Sequence, residues 1–233
     1  MDGINASERE DYETAACEFR PYAERGITMV QYMLGVLYMY GKGVTQDYVE
    51  AEKWFRLAAD KGLKEAQFGL GYLYSEGLGV DQDKREGERW YRKSAEQGYA
   101  LAQSDLGQIY LDRSGGSRNL EEAAQWLGLA AEQGDVLGQF ISALLYWDGI
   151  GVQQDMIIAL KWMSLAVEHG NKTAKRLFGV YSEEMTLAEI TEAERLAEAW
   201  RVEHYSSEKF WRRGFSSGFS RTLRELRELD IDE

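Results

Sequence analysis

Apolar positions along the chain fall into two short registers that alternate and then recur. In the first, Leu34, Leu37, Tyr38 and Gly41 stand at i, i+3, i+4 and i+7, one face of a helix. In the second, Ala51, Trp54, Phe55, Ala58 and Ala59 follow the same helical spacing. Between them lies Gly41-Lys42-Gly43-Val44-Thr45-Gln46-Asp47. Its glycines predict the end of the first helix and a turn of positive φ. Asp47 predicts the N-cap of the second helix, and Gly62 its end. The element so predicted is a helix–turn–helix hairpin.

The hairpin repeats every 36 residues without an insertion. Trp54, Trp90, Trp126 and Trp162 form one column, and Gln31, Gln67, Gln103 and Gln139 another. Tyr38, Tyr74, Tyr110 and Tyr146 form a third, with Gly43, Gly79, Gly115 and Gly151 in a fourth. Asp47, Asp83, Asn119 and Asp155 hold the N-cap column, and Gly62, Gly98, Gly134 and Gly170 the stop column. The Trp and Tyr columns predict a core repeated in every unit. The buried glutamines predict hydrogen bonds to backbone between repeats. Gly35, Gly71 and Gly107 interrupt the first helix of their units, at a cost of about 1 kcal/mol each relative to Ala. Close approach of helix backbones is the expected reason. Ala143 holds the position in the fourth unit.

The frame runs past both ends of the four full units. Ala15, Phe19, Ala23 and Gly26 lie 36 residues before Ala51, Phe55, Ala59 and Gly62, which predicts a lone helix over 8–26. Pro21 is expected to kink or split it, and Cys17 is read as a core residue of it. A further first-type helix is predicted from about Lys172. Thr186-Leu187-Ala188-Glu189 is a capping box that opens a last helix to about Glu203, with Ile190, Ala193, Leu196, Ala197 and Trp200 on one face. The third unit breaks pattern in its turn, Arg113-Ser114-Gly115-Gly116-Ser117-Arg118-Asn119. A softer loop is one reading, and a hinge or a contact loop carrying Arg113 and Arg118 is the other. The division expected is a repeat body over 1–204, with units at about 27–62, 63–98, 99–134 and 135–170 and a partial unit with its capping helix at 171–204. A tail follows over 205–233.

Two stretches carry a family resemblance. Glu65-Ala66-Gln67-Phe68-Gly69-Leu70-Gly71-Tyr72-Leu73-Tyr74 leads into Gly77-Leu78-Gly79-Val80. Ala51-Glu52-Lys53-Trp54-Phe55-Arg56-Leu57-Ala58-Ala59-Asp60-Lys61-Gly62 follows the second helix of the same pattern. They resemble the Sel-1-like repeat family, relatives of the tetratricopeptide repeats, over about residues 10–204. The resemblance implies an all-α, right-handed α-solenoid of 36-residue hairpins and a non-catalytic scaffold for protein interaction. It also implies that the last helix caps the array, since a solenoid must cover its final apolar face. Some cysteine-rich members of the family are linked to penicillin binding; this chain lacks their cysteine pairs.

Composition narrows the function. A net charge of −13 argues against a nucleic-acid partner, which needs a basic footprint. One cysteine and two histidines supply neither a disulfide framework nor a metal site, and no cofactor is expected. His169 is read as a cation complementing the dipole at the end of its helix. The Gly-x-Gly-Val turns have no Lys-Ser/Thr after them and no strand before them, so they are not phosphate loops. No carboxylate is expected in an apolar setting that would raise its pKa, and the chain is read as no enzyme. No apolar run approaches the roughly 20 residues of a membrane span. Met1 to Asp11 is polar and acidic, so a complete chain is expected to be cytoplasmic. A leader removed beforehand would make it periplasmic or secreted.

What remains is surface. By analogy with tetratricopeptide repeats, the first-helix face opposite Leu34, Leu37 and Tyr38 lines the concave side. Down the frame the expected groove includes Met29, Met33 and Tyr40, then Tyr72 and Glu76, then Asp105, Gln108 and Asp112, then Leu144 and Asp148. It is Met- and Tyr-bearing at one end and anionic in the middle, and it suits a peptide or helix with basic and apolar side chains. The tail is a second candidate, with six basic and six acidic residues and interleaved aromatics. A disordered end is one reading of it; in the other, Phe210, Trp211, Arg212, Arg213 and Phe215 are expected to form a docking anchor. It docks either in its own groove, competing with a ligand, or in that of a second copy, linking copies head to tail. In the alternative reading the chain is a regulatory or inhibitory subunit of an enzyme or envelope complex, acting through this tail.

Overall fold

The computed structural model describes residues 2–112 and 119–205, and these are helix and turn with no strand among them. α1 (Asp2–Glu24) precedes four hairpins: α2 (Thr28–Tyr40) with α3 (Tyr48–Ala59), α4 (Lys64–Glu76) with α5 (Lys84–Glu96), α6 (Ala100–Leu111) with α7 (Leu120–Glu132), and α8 (Val136–Asp148) with α9 (Met156–Glu168). α10 (Lys172–Glu183) and α11 (Leu187–Tyr205) complete the described chain. From α1 to α10 each helix packs on its neighbours in chain order, and α11 packs back on α9. This is an α-solenoid, in which contacts stay within a unit or pass to the next. Its core is accordingly a string of clusters along the array.

Local chemistry sets the helix ends. Asp47 Oδ1 accepts from the backbone N–H of Val49 at 2.9 Å and of Glu50 at 3.1 Å. Asp83 caps α5 in the same way, and Asn119 and Asp155 cap α7 and α9 by accepting from one backbone N–H each, of Glu122 and Ile158. Gly41 ends α2 at φ 63°, its N–H bonded to the Leu37 carbonyl, the left-handed cap that glycine favours. A loop glutamine closes the turn: Gln46 donates to the Met39 carbonyl at 2.8 Å, Gln82 to Ser75 at 2.8 Å and Gln154 to Trp147 at 2.7 Å. In the third unit α6 ends on an extended Asp112. The following 113–118, with Arg113 and Arg118, lie outside the described residues.

Between units the glutamine column acts as a clip. Gln31, Gln67, Gln103 and Gln139 each donate to a carbonyl near the end of the preceding second helix, at 2.9, 3.3, 3.1 and 3.3 Å. Each side-chain carbonyl then faces a residue thirty positions on: Lys61, Gln97, Gln133 or His169. His169 has a second role besides its place at the end of α9. Burial lowers its imidazole pKa against the pull of Glu168, and its Nδ1 lies 3.0 Å from Gln139 Oε1.

Four expectations change. α1 is one helix through Pro21, and both Pro21 and Cys17 are exposed. They share an exposed face, four residues apart. Cys17 is not a core residue; Ala15, Ala16, Phe19 and Ala23 make the buried stripe. Trp54, Trp90 and Trp162 are buried, but Trp126 is only half-buried. Arg56 lies over the Trp90 ring, whereas Arg92 turns to Tyr110, Glu88 and Glu122. Finally, the glycines inside α2, α4 and α6 make room mainly for a side chain of the same hairpin. A Cβ at Gly35 would come within 2.6 Å of the Phe55 ring, at Gly71 within 2.6 Å of Tyr91, and at Gly107 within 2.5 Å of Leu127. In the fourth hairpin the opposing residue is the pliant Met163, and Ala143 is tolerated.

At the far end, Thr186 and Glu189 form the reciprocal capping box, N–H to Oε2 at 2.8 Å and N–H to Oγ1 at 3.3 Å. Ala193, Ala197 and Trp200 of α11 are buried, and Trp200 meets Trp162 edge-on with ring centres 6.4 Å apart. Trp147 stacks flat on Tyr181 at 3.7 Å.

Candidate interaction groove

Successive first helices bring their residues together in two adjoining chambers. The first, about 470 Å³, is walled by α2, α4 and α6. Tyr40, Tyr72 and Asp105 of the expected groove meet in it, beside Phe68, Tyr99 and Glu65. The second, about 290 Å³, gathers Glu76, Asp105, Gln108 and Asp112. Asp105 faces both. Lys84 and Arg85 from the start of α5 also line the second chamber, so it is not purely anionic.

Other expected groove residues are placed differently. Met33 is 9% exposed and belongs to the core of the first hairpin, where the neighbouring units close over it. Met29 is 41% exposed but lines neither chamber. Leu144 packs half-buried on the C-terminal core. Asp148 is exposed, and its charge joins burial in raising the Tyr181 hydroxyl pKa. The tail residues Phe210, Trp211, Arg212, Arg213 and Phe215 lie outside the described residues.

The aromatic floor of the first chamber was not among the expected residues. Tyr32 and Phe55 rings lie 5.8 Å apart, Phe68 and Tyr91 5.5 Å, and Phe68 and Tyr99 5.3 Å. Tyr32, Phe68 and Phe140 share a column of the 36-residue frame, interrupted by Ser104 in the third unit, and that was the legible signal. Burial, together with the nearby Glu65 charge, pushes the Tyr99 phenol up to about 12 and raises Tyr32 further.

Asp105 corrects the expectation that no carboxylate sits in a pKa-raising setting. Burial first, and then the Asp135 charge, push its carboxyl up to about 6. Gln108 Nε2 reaches its Oδ1 at 3.4 Å. An ordinary Asp titrates near 4, so between about pH 4 and 6 the folded chain holds more protons than the unfolded one. The carboxyl's contribution to stability is therefore full below that window and is lost as pH rises through about 6. Asp105→Asn should raise stability at pH 7.5 by about 2 kcal/mol and leave it nearly unchanged at pH 4. Urea unfolding at the two pH values checks this; an equal gain at both would mean the effect is not titration.

Among the described residues no cluster of three His, Cys, Asp or Glu side chains is placed to hold a metal ion. No helix there is long and apolar enough to cross a membrane. The Sel1 repeat profile matches residues 28–63, 64–99, 100–135 and 136–171. The chain is similar to a Sel1 repeat protein of Oxalobacter formigenes, with 32% identity and a TM-score of 0.68 over 72% of this chain and 49% of that one. It is also similar to a protective antigen of uropathogenic Escherichia coli strains displaying an SLR fold, with 35% identity and a TM-score of 0.72 over 84% of this chain and 41% of that one. The chain thus spans about half the length of these two proteins or less. No curated protein matches it.

Proposed function

The chain belongs to the Sel1 repeat family, and from that premise we propose that it is a non-catalytic adaptor holding a partner peptide or helix along its first helices. Proteins of this family generally act as scaffolds for protein–protein interaction. The observation that carries the finer reading is the first chamber, where Tyr40, Tyr72 and Asp105 from three successive hairpins face one space. Aromatic rings there offer apolar anchorage, while Glu65 and Asp105 attract cations. Glu76 and Asp112 extend the negative charge along the array. A partner segment that alternates apolar and basic side chains complements this surface.

The charged positions should act mainly on encounter. Changing Glu76 to Gln and Asp105 and Asp112 to Asn is expected to slow association with the partner by about tenfold and to flatten its salt dependence. Dissociation should change much less. Tyr72→Ala should do the reverse, since it removes a contact made only after docking. Binding kinetics across a salt series check both variants. A triple variant with unaltered association overturns the groove assignment.

A further inference from the structure

A second periodic device runs along the other helix of each hairpin. Arg20, Arg56 and Arg92 recur at the 36-residue spacing and each hydrogen-bonds a tyrosine hydroxyl of the next first helix. Arg56 donates to Tyr74 at 2.7 Å; Arg20 and Arg92 meet Tyr38 and Tyr110 in the same way. Glu52 and Glu88, one turn earlier, pair with Arg56 and Arg92 at 2.6 and 3.2 Å. The guanidinium of Arg56 lies over the Tyr74 ring at 5.6 Å and the Trp90 ring at 5.5 Å.

In the third hairpin this rung is missing while its receptor stays. The frame puts Ala124 where the glutamate belongs and Gly128 where the arginine belongs. Tyr146 and Trp162, the equivalents of Tyr74 and Trp90, remain. At this place opens a surface cleft of about 1120 Å³, bordered by Gly128, Leu129, Tyr146, the edge of the buried Trp162 and the carboxylate-bearing Glu121 and Glu132. Packing does not require the glycine: a Cβ built on Gly128 meets nothing within 4 Å. Nor does helix formation favour it, since glycine is the poorest helix former after proline. Lys161 covers Trp162 from its own helix at 3.7 Å and pairs with Glu132 at 3.5 Å. Among the described residues, no side chain hydrogen-bonds the Tyr146 hydroxyl.

One rung further on, the array shows that a guanidinium can come from elsewhere. Ser164 stands 36 residues after Gly128, and Arg201 of α11 reaches its hydroxyl at 3.5 Å while pairing with Glu168 at 2.9 Å.

We propose that the space at Gly128 is a slot for an arginine side chain of a partner protein, which would complete the ladder at Tyr146, beside the edge of Trp162. Arginine suits it better than lysine, because a planar guanidinium stacks on aromatic faces while its N–H fork reaches a hydroxyl and a carboxylate. Glu121 and Glu132 against the single Lys161 leave the lining net negative. The slot is lined by α7, α8, α9 and α11, none of which lines the two chambers, so it stands or falls separately from the chamber reading.

The test uses the full chain and N-acetyl-argininamide, with the citrulline and lysine counterparts as controls. NMR of the Tyr146 ring and Trp162 indole should show a saturable shift with the arginine probe at millimolar concentration. Both controls should bind at least about tenfold more weakly. Gly128→Ala keeps the slot and should keep the binding. Gly128→Arg fills it and should abolish the shift, and Tyr146→Phe should weaken binding about tenfold without depending on how the first variant folds. The proposal is overturned by no saturable shift, by equal shifts with citrulline, or by binding unchanged in both Gly128→Arg and Tyr146→Phe. Probe binding that tightens tenfold or more when Arg212 and Arg213 are both changed to Gln would assign the slot to the chain's own tail and overturn a partner arginine.

Discussion

Phe55→Ala is expected to cost the fold about 3–5 kcal/mol, toward the upper end of that range. The side chain is 1% exposed, and its ring is held between two glycines. A Cβ on Gly35 would lie 2.6 Å from one edge of the ring, and a Cβ on Gly69 2.9 Å from the other. The cost of a large-to-small substitution depends on how far the surroundings collapse, and glycines have no side chain to move into the hole. Tyr32, with its ring centre 5.8 Å away, is the aromatic neighbour placed to shift toward it. The fourth hairpin shows a different solution of the same contact, Ala143 facing Met163. So Gly35→Ala alone should destabilise by overpacking, while Gly35→Ala combined with Phe55→Met should lose less than the sum of the two single changes. A double-mutant cycle by urea unfolding measures that coupling. Because contacts pass only between neighbouring units, α2, α3 and α4 should open first in Phe55→Ala. Hydrogen exchange that rose uniformly along the chain would contradict this.

Gly79→Ala should cost about 3–5 kcal/mol, whereas Gly98→Ala should cost only about 1–2 kcal/mol. Both glycines are left-handed, at φ +70° and +77°. Around Gly98 there is nothing within 4 Å of an added Cβ, so only the backbone strain is felt. At Gly79 the Cβ would fall 2.4 Å from the Tyr48 carbonyl carbon and 2.7 Å from the Val49 nitrogen. Those are backbone atoms at the start of α3, which cannot rotate away as a side chain can. Gly43 meets Tyr12 and Gly151 meets Leu120 in the same manner, so these three turns rest on the second-type helix of the unit before them. The substitution therefore pushes two units apart as well as straining one residue. Thermal or urea unfolding of the two variants side by side provides the check, and equal losses would refute the role given to this contact.

The 36-residue period, the hairpins, the aspartate caps, the left-handed glycines and the terminal capping box were all legible in the sequence. Each depends on interactions within a few residues, or on a pattern repeated until no other arrangement satisfies every copy. The Gln31 to Gln139 column was legible for the second reason, since a polar side chain recurring on a buried face must find a backbone partner. What the period cannot report is how a particular unit departs from its siblings. Trp126 occupies the same column as Trp90 yet is half-buried, and Arg92 lies on Tyr110 and pairs with Glu88 and Glu122 rather than covering the next tryptophan as Arg56 does. Met33 reads as groove and lies in the core, while Tyr32, Phe68 and Tyr99 build the chamber floor. A helical wheel tells which side chains share a face; how deeply a neighbouring unit covers that face is set by the packing between units. Asp105 carries the same lesson in charge: nothing in its local sequence raises a carboxylate, and burial between units, reinforced by Asp135, does so. The sequence alone determined the elements and their order, because those rest on short-range chemistry. Only the tertiary structure decided which copies of a column are covered, charged or left open, because that depends on side chains from the next unit, tens of residues away.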